Sequence, residues 1–242
     1  MKILHLYHDR MNLYGEYANL TVLSALLREQ GADVCVDRRS LGNETVNAAD
    51  YDLIYIGSGT ETAQIQVLND IRRYADSLRN AHDTGRILLM TGNAFELFGT
   101  TLTDASGKVH PALGFFPFTV TLTDRERTLT DAVLTAPFLQ DPLVGFINKA
   151  SRIDGVSSPL FTVRYGAGNK ENDTGEGVTD GVFFGTHLTG PCLVKNPHLA
   201  AFFTEKLLKN AGMPFTEKHH EYAGNAYRVT RDALEERFGN NL

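Results

Sequence analysis

The chain has 242 residues, 42% of them hydrophobic, and a formal net charge of −6, so it carries enough apolar material for a sizeable core. An acidic balance with no Lys/Arg run and no interleaving of aromatic with basic residues excludes a nucleic-acid-binding surface. No apolar stretch approaches the roughly 18 residues needed to span a bilayer, and the opening MKILHLYH is too short for a signal peptide, so a cytoplasmic location is expected.

Strand and helix patterns alternate from the start. Lys2–Tyr7 predicts a strand, and Leu20, Leu23, Leu26 and Leu27 share one face of a helix that ends at Gly31, a residue suited to a left-handed C-cap. Ala32–Val36 predicts a second strand. Asp52–Ile56 is a short apolar run ending in Gly57-Ser58-Gly59, the pattern of a buried parallel strand followed by a turn. Ile65, Leu68, Ile71, Ala75 and Leu78 define another helical face, and Arg86–Met90 a fourth strand. Such alternation with short glycine turns implies a parallel sheet covered on both faces, with ligands at the carboxyl ends of its strands.

Beyond Gly99 the pattern changes. Phe115–Leu122, Leu143–Asn148 and Leu160–Tyr165 predict short strands without intervening helices, and polar, glycine-rich Asn169–Gly181 predicts a surface loop. Val182–Leu188 returns as a strand, Leu199, Phe202, Phe203, Leu207 and Leu208 as a helical face, and Glu217–Phe238 as a charged helix with a thin apolar stripe. We expect one domain over residues 1–242, with 215–242 as a C-terminal helical extension. The two cysteines, Cys35 and Cys192, suggest neither a disulfide framework nor a thiolate metal site, and both predict packing residues. His5 and His8 lack acidic partners at ligand spacing, and His219-His220 would point apart on a helix, so no metal and no cofactor is expected.

The segment Ile87–Gly99, ILLMTGNAFELFG, has the shape of a nucleophile elbow, in which a strand turns sharply into a helix and lifts one side chain to the sheet edge. With it stand Met11-Asn12-Leu13-Tyr14-Gly15 and Asn19, YDLIYIGSG at 51–59, Gly145-Phe146-Ile147-Asn148, Gly166-Ala167-Gly168-Asn169 with Glu176-Gly177, Gly185-Thr186-His187-Leu188-Thr189-Gly190-Pro191, and Lys195-Asn196-Pro197. In that order these segments resemble the class I glutamine amidotransferases of the cobyric acid synthase type. Within them, the likeness is greatest to the group of glutaminase subunits that serve lipid II isoglutaminyl synthesis in peptidoglycan precursor amidation. The resemblance implies a flavodoxin-like α/β fold, a mostly parallel central sheet with helices on both faces, and extra short strands in the second half.

The resemblance further implies glutamine hydrolysis by a cysteine thiolate and a histidine, with backbone N–H groups holding the oxyanion and ammonia passing to a Mur-ligase-like synthetase partner. Carried over position by position, the nucleophile falls on Gly92 and the histidine on Thr189. Glycine offers no nucleophile, and a threonine hydroxyl is no general base near neutral pH. Gly57, Gly59, Asn93, Arg127 and Asn148 fall where substrate or oxyanion contacts would lie, with Arg125 an alternative to Arg127. The expectation is a pseudoenzyme that has lost glutaminase activity and is retained to bind a synthetase partner or a small amide or carboxylate ligand such as glutamine. The alternative is an active amidotransferase or amide hydrolase with a rebuilt site. Thr91, one residue before the turn, His187, two residues before Thr189 on the same strand face, and Glu96, in the first turn after the elbow, are its candidate groups. Cys192 has no neighbour in sequence that would lower its pKa. A purely structural or regulatory subunit associating through the charged C-terminal segment is a third reading.

Overall fold

The structure, a computed structural model, describes residues 1–123 and 127–239. In chain order its strands and α-helices are β1 (Lys2–Leu6), α1 (Tyr17–Glu29), β2 (Cys35–Arg39), β3 (Leu53–Ile56), α2 (Glu61–Ile71), α3 (Ala75–Asp83) and β4 (Ile87–Thr91). A run of short strands follows: β5 (Thr101–Thr103), β6 (Val109–Pro111), β7 (Thr119–Leu122), β8 (Thr128–Thr135), β9 (Leu143–Lys149), β10 (Ser151–Asp154), β11 (Phe161–Tyr165), β12 (Gly175–Glu176), β13 (Val178–Thr179), β14 (Phe183–Thr186) and β15 (Leu188–Thr189). Helices α4 (Cys192–Lys195), α5 (Pro197–Asn210) and α6 (Glu221–Gly239) close the chain.

The central sheet runs β13-β14-β4-β3-β1-β2 and is parallel except for the β13–β14 pair. The inner strands β3 and β4 read as near-continuous apolar runs because both of their faces are covered. One face packs Leu4, Ile54, Ile56, Leu88 and Met90 against Val67, Leu68 and Ile71 of α2 and Leu78 of α3. The other packs Ile3, Leu53, Tyr55, Ile87 and Leu89 against Leu20, Leu23 and Leu27 of α1 and Leu199, Phe203 and Leu207 of α5. A four-stranded sheet, β10-β7-β5-β6, and a five-stranded sheet, β12-β11-β8-β9-β15, carry the second half of the chain past the carboxyl edge of β4.

Several expectations are corrected. The single helical face over 65–78 is two helices, broken by a 3-10 turn at Arg72–Tyr74 that brings Tyr74 fully into the core. The stretch 169–181 is no surface loop: Asn169 and Glu176 are buried, and β12 and β13 lie within it. The strand expected over 182–188 stops at Thr186. Cys35 is exposed, because β2 is the edge strand of the central sheet and its outer residues face solvent. Cys192 is buried.

After the elbow, Gly92–Phe98 forms a 3-10 helix rather than an α-helix. The amides of Leu113, Phe115 and Phe116 bond the carbonyls of Leu97 and Phe98, capturing the acceptors a longer helix would use for itself. No helix among the described residues is long and apolar enough to cross a membrane.

Candidate functional site

The carboxyl ends of β3 and β4 place two turns side by side. Gly92 opens the elbow at φ +61, a conformation that disfavours any side chain. The space above it is filled: a Cβ built on Gly92 would lie 2.4 Å from both Cβ and Oγ of Ser58, which arrives from the β3 turn. Ser58 is bracketed by glycines for packing reasons. A Cβ at Gly57 would meet the Met11 carbonyl at 2.6 Å, and one at Gly59 the Met11 sulfur at 2.3 Å.

Asn93 closes on Gly59. Its Oδ1 accepts from the Gly59 amide and its Nδ2 donates to the Gly59 carbonyl, each at 2.9 Å. The Gly59 N–H, where an oxyanion contact was expected, is thus spent within the protein.

Thr91 and Thr186 are register partners on β4 and β14, and two buried polar clusters lie around this pair. In the first, the Thr91 hydroxyl makes a short bond to the Glu16 carboxylate and lies 2.9 Å from the Tyr55 hydroxyl. Tyr55 donates to Glu16, as does the Asn19 amide, whose own Oδ1 accepts from the Leu193 amide. Burial raises the Glu16 pKa above the usual carboxylate value, against the bonds from Thr91, Gly190, Tyr55 and Asn19 that lower it.

In the second cluster, His187 Nε2 lies 2.8 Å from Glu96 Oε1, and its backbone amide donates to Glu176 Oε1 at 2.7 Å. Nδ1 sits 3.4 Å from the same Glu176 oxygen without hydrogen-bond geometry. Glu96 also accepts from Ser151 Oγ at 2.5 Å and Gln64 Nε2 at 2.6 Å, while Thr186 Oγ1 donates to Glu176 at 2.6 Å. The Phe95 ring stands edge-on to the imidazole, 4.5 Å between centroids. Lys149 is buried alongside, donating to the carbonyls of Gly168 and Asn169, and burial lowers its pKa.

These clusters place the remaining sequence candidates. Thr91 and His187 share no hydrogen-bond partner. Thr189 is buried and its hydroxyl donates to the Phe146 carbonyl at 3.1 Å, so it binds the β9 backbone. Asn148 and Arg127 do meet: Arg127 Nε donates to Asn148 Oδ1 at 2.8 Å, and its Nη1 to Glu61 at 2.5 Å. Asn148 donates onward to the Tyr14 hydroxyl at 2.6 Å, and Tyr14 is itself held in the left-handed region at φ 60. Arg125 lies outside the described residues. Between Tyr14, Ser58, Asn93, Glu96, Arg127 and Asn148 a cavity of about 10 Å³ remains, room for roughly one water molecule.

Sequence reasoning missed Ser58, Gln64, Ser151, Lys149 and Glu16 as parts of this region. The signal available for Glu16 was a lone carboxylate beside the Met11–Gly15 motif, and for Ser58 its position between two glycines. Chemically, an activated nucleophile needs a hydroxyl or thiol bonded to a base that a third group orients. Here the order is inverted: Glu96 stands between Ser151 and His187, and the imidazole touches no hydroxyl through a ring nitrogen. Among the described residues no group of three His, Cys, Asp or Glu side chains is arranged to hold a metal.

A family model for the CobB/CobQ-like glutamine amidotransferase domain matches residues 2–197. This chain belongs to that family. The GatD subunit of the glutamine-hydrolysing lipid II isoglutaminyl synthase of Streptococcus pneumoniae is 30% identical over 211 residues, covering 86% of this chain and 81% of that protein. The Staphylococcus aureus GatD subunit is 26% identical over 218 residues, covering 90% of this chain and 88% of its own length. Among solved structures, the PurLQS complex of Thermotoga maritima contains a chain superposing with a TM-score of 0.55 at 13% identity, over 87% of this chain and 98% of that one. A further glutamine amidotransferase structure superposes at 0.54, covering 85% and 98%. At such identities the structural likeness speaks to the fold, and the family membership rests on the sequence matches.

Proposed function

We propose that this amidotransferase-family chain does not hydrolyse glutamine and serves as the docking subunit of a Mur-ligase-like synthetase in the cytoplasm, in peptidoglycan precursor amidation. The observation carrying this reading is the Ser58 side chain, which fills the volume a nucleophile on Gly92 would need. Two others support it. The Gly59 N–H is consumed by Asn93, so an oxyanion finds one fewer free donor, and Thr189 spends its hydroxyl on a backbone carbonyl.

Partnership with a synthetase is supported by the subunit character of both GatD relatives. A rebuilt site draws no comparable support, because the hydroxyl of Thr91 and the ring of His187 are committed to separate buried carboxylates.

Glutamate release from glutamine tests the proposal, measured with the purified chain alone and with a co-expressed Mur-ligase-like synthetase. Release is expected to equal the protein-free blank in both, with the two chains co-sedimenting. Release that Ser58→Ala or Thr91→Ala abolishes would overturn the loss of activity, and independent sedimentation would overturn the docking role.

A further inference from the structure

Four side chains from four parts of the fold are bonded in series along the elbow cavity. Glu61 opens α2, Arg127 stands just ahead of β8, Asn148 lies on β9, and Tyr14 belongs to the connection from β1 to α1. Glu61 Oε1 accepts from Arg127 Nη1 at 2.5 Å, Asn148 Oδ1 from Arg127 Nε at 2.8 Å, and the Tyr14 hydroxyl from Asn148 Nδ2 at 2.6 Å. All four line the cavity of about 10 Å³ whose wall includes Ser58. A neighbouring cleft of about 510 Å³ lies between α2 and the β5–β6 turn, and Glu61, Leu122, Arg127 and Ala150 line both spaces. The bonded series therefore stands on the partition between a small space at the elbow and a large one beside it.

Tyr14 is its strained member. The turn Leu13–Glu16 is closed by the Glu16 amide on the Leu13 carbonyl, and its two central residues, Tyr14 and Gly15, both have positive φ, +60 and +73. Turns of that kind are built from Gly, Asn and Asp, and an aromatic residue at the first central position is held there against its preference. The turn does not need this side chain for its anchorage. The Leu13 amide donates to the Ser58 carbonyl at 2.9 Å, and Asn12 Oδ1 accepts from the Tyr17 amide at 2.8 Å.

What the strain secures is the position of the ring beside the cavity. There the ring stands edge-on to Phe146 at 6.4 Å between centroids, its hydroxyl takes the one bond from Asn148, and the residue remains 43% exposed. A single hydrogen bond at an exposed site is weak enough to break and re-form without disturbing the core.

We propose that Tyr14 is the movable leaf of a gate, with Asn148 as its latch. While the hydroxyl holds Asn148, the cavity at Ser58 is shut off from the cleft. When the ring swings out, Asn148 and Arg127 are released with it, the two spaces join, and small polar solutes reach the elbow.

The alkylation rate of a thiol placed inside the cavity tests this. The probe is Ser58→Cys in a Cys35→Ser background, which removes the exposed native thiol, treated with iodoacetamide and read by mass spectrometry. Tyr14→Phe keeps the ring and loses the latch, and should speed labelling at position 58 about two- to tenfold. Tyr14→Gly removes the leaf and should speed it by about tenfold or more, while labelling of buried Cys192 stays at the parent rate. Tyr14→Gly should also melt above Tyr14→Ala, because only the alanine keeps a Cβ at positive φ. Should Ser58→Cys fail to fold, hydrogen exchange of the Gly59 amide, on the same cavity wall, reads the gate in chains that keep Ser58, and Tyr14→Gly should accelerate it. An unchanged rate at position 58 or at the Gly59 amide in Tyr14→Gly, a parallel rise at Cys192, or melting of Tyr14→Gly below Tyr14→Ala would overturn the proposal.

Discussion

The Asn93 side chain caps both backbone groups of Gly59, so the turn after β3 and the turn after β4 are latched to each other by two 2.9 Å hydrogen bonds. Asn93→Ala removes the latch and leaves the Gly59 amide without its acceptor. The expected cost is about 1–3 kcal/mol. In a chain of this size each kcal/mol lowers the melting temperature by about 2–4 °C, which calorimetry resolves. Hydrogen exchange at the Gly59 amide should accelerate, while exchange in α5 stays unchanged.

Gly92→Cys alone is expected to destabilise the fold and to yield no glutamine hydrolysis. The left-handed backbone at φ +61 costs of order 1–3 kcal/mol for a residue with a Cβ, and the 2.4 Å approach to Ser58 adds to it. Adding Ser58→Gly should recover the part of the melting temperature due to the collision. If Gly92→Cys melts with the parent chain, the packing described for Ser58 is wrong.

Breaking the second buried cluster should be severe. Glu96→Ala strands His187, Ser151 and Gln64 without their shared acceptor, and leaving a buried polar group unsatisfied typically costs about 1–3 kcal/mol for each group. Glu96→Gln, which keeps the shape and one acceptor oxygen, should cost less. Denaturant midpoints of the two variants against the parent test this order.

A pH dependence follows from His82 at the end of α3. Burial works against its charge, but hydrogen bonds to Asp83 and Asp180 outweigh it and hold the pKa above 6.5. A raised histidine pKa means the folded state holds the proton more tightly. The added stability is fully present below about pH 6.5 and is lost as pH rises through the folded value. The ring is partly exposed, so screening keeps the effect small. The unfolding midpoint of the parent relative to His82→Asn should fall as the pH is raised above about 6.5; a constant difference would contradict the assignment.

The parallel core was legible because its signal is local: fully buried β3 and β4 must be apolar throughout, and each is followed by a glycine turn. The placement of Gly92, Asn93, Arg127 and Asn148 near one another came from the family resemblance, which orders turns around a common sheet edge. What stayed hidden depends on residues far apart in sequence. Ser58 and Gly92 are separated by 34 positions, and only the register of β3 on β4 brings their turns into collision. Glu176 looked like part of a polar loop because nothing local announces that Thr186 and His187 will bury it. Cys35 misled for the converse reason: alternation with valines marks a strand but not its place at the sheet's rim.

Because the serine of one turn and the hydrogen atom of the other contend for a single volume, the two positions constrain each other: a side chain can be added at position 92 only if position 58 gives up its own. An engineered thiol at this bend therefore calls for substitution at both sites together.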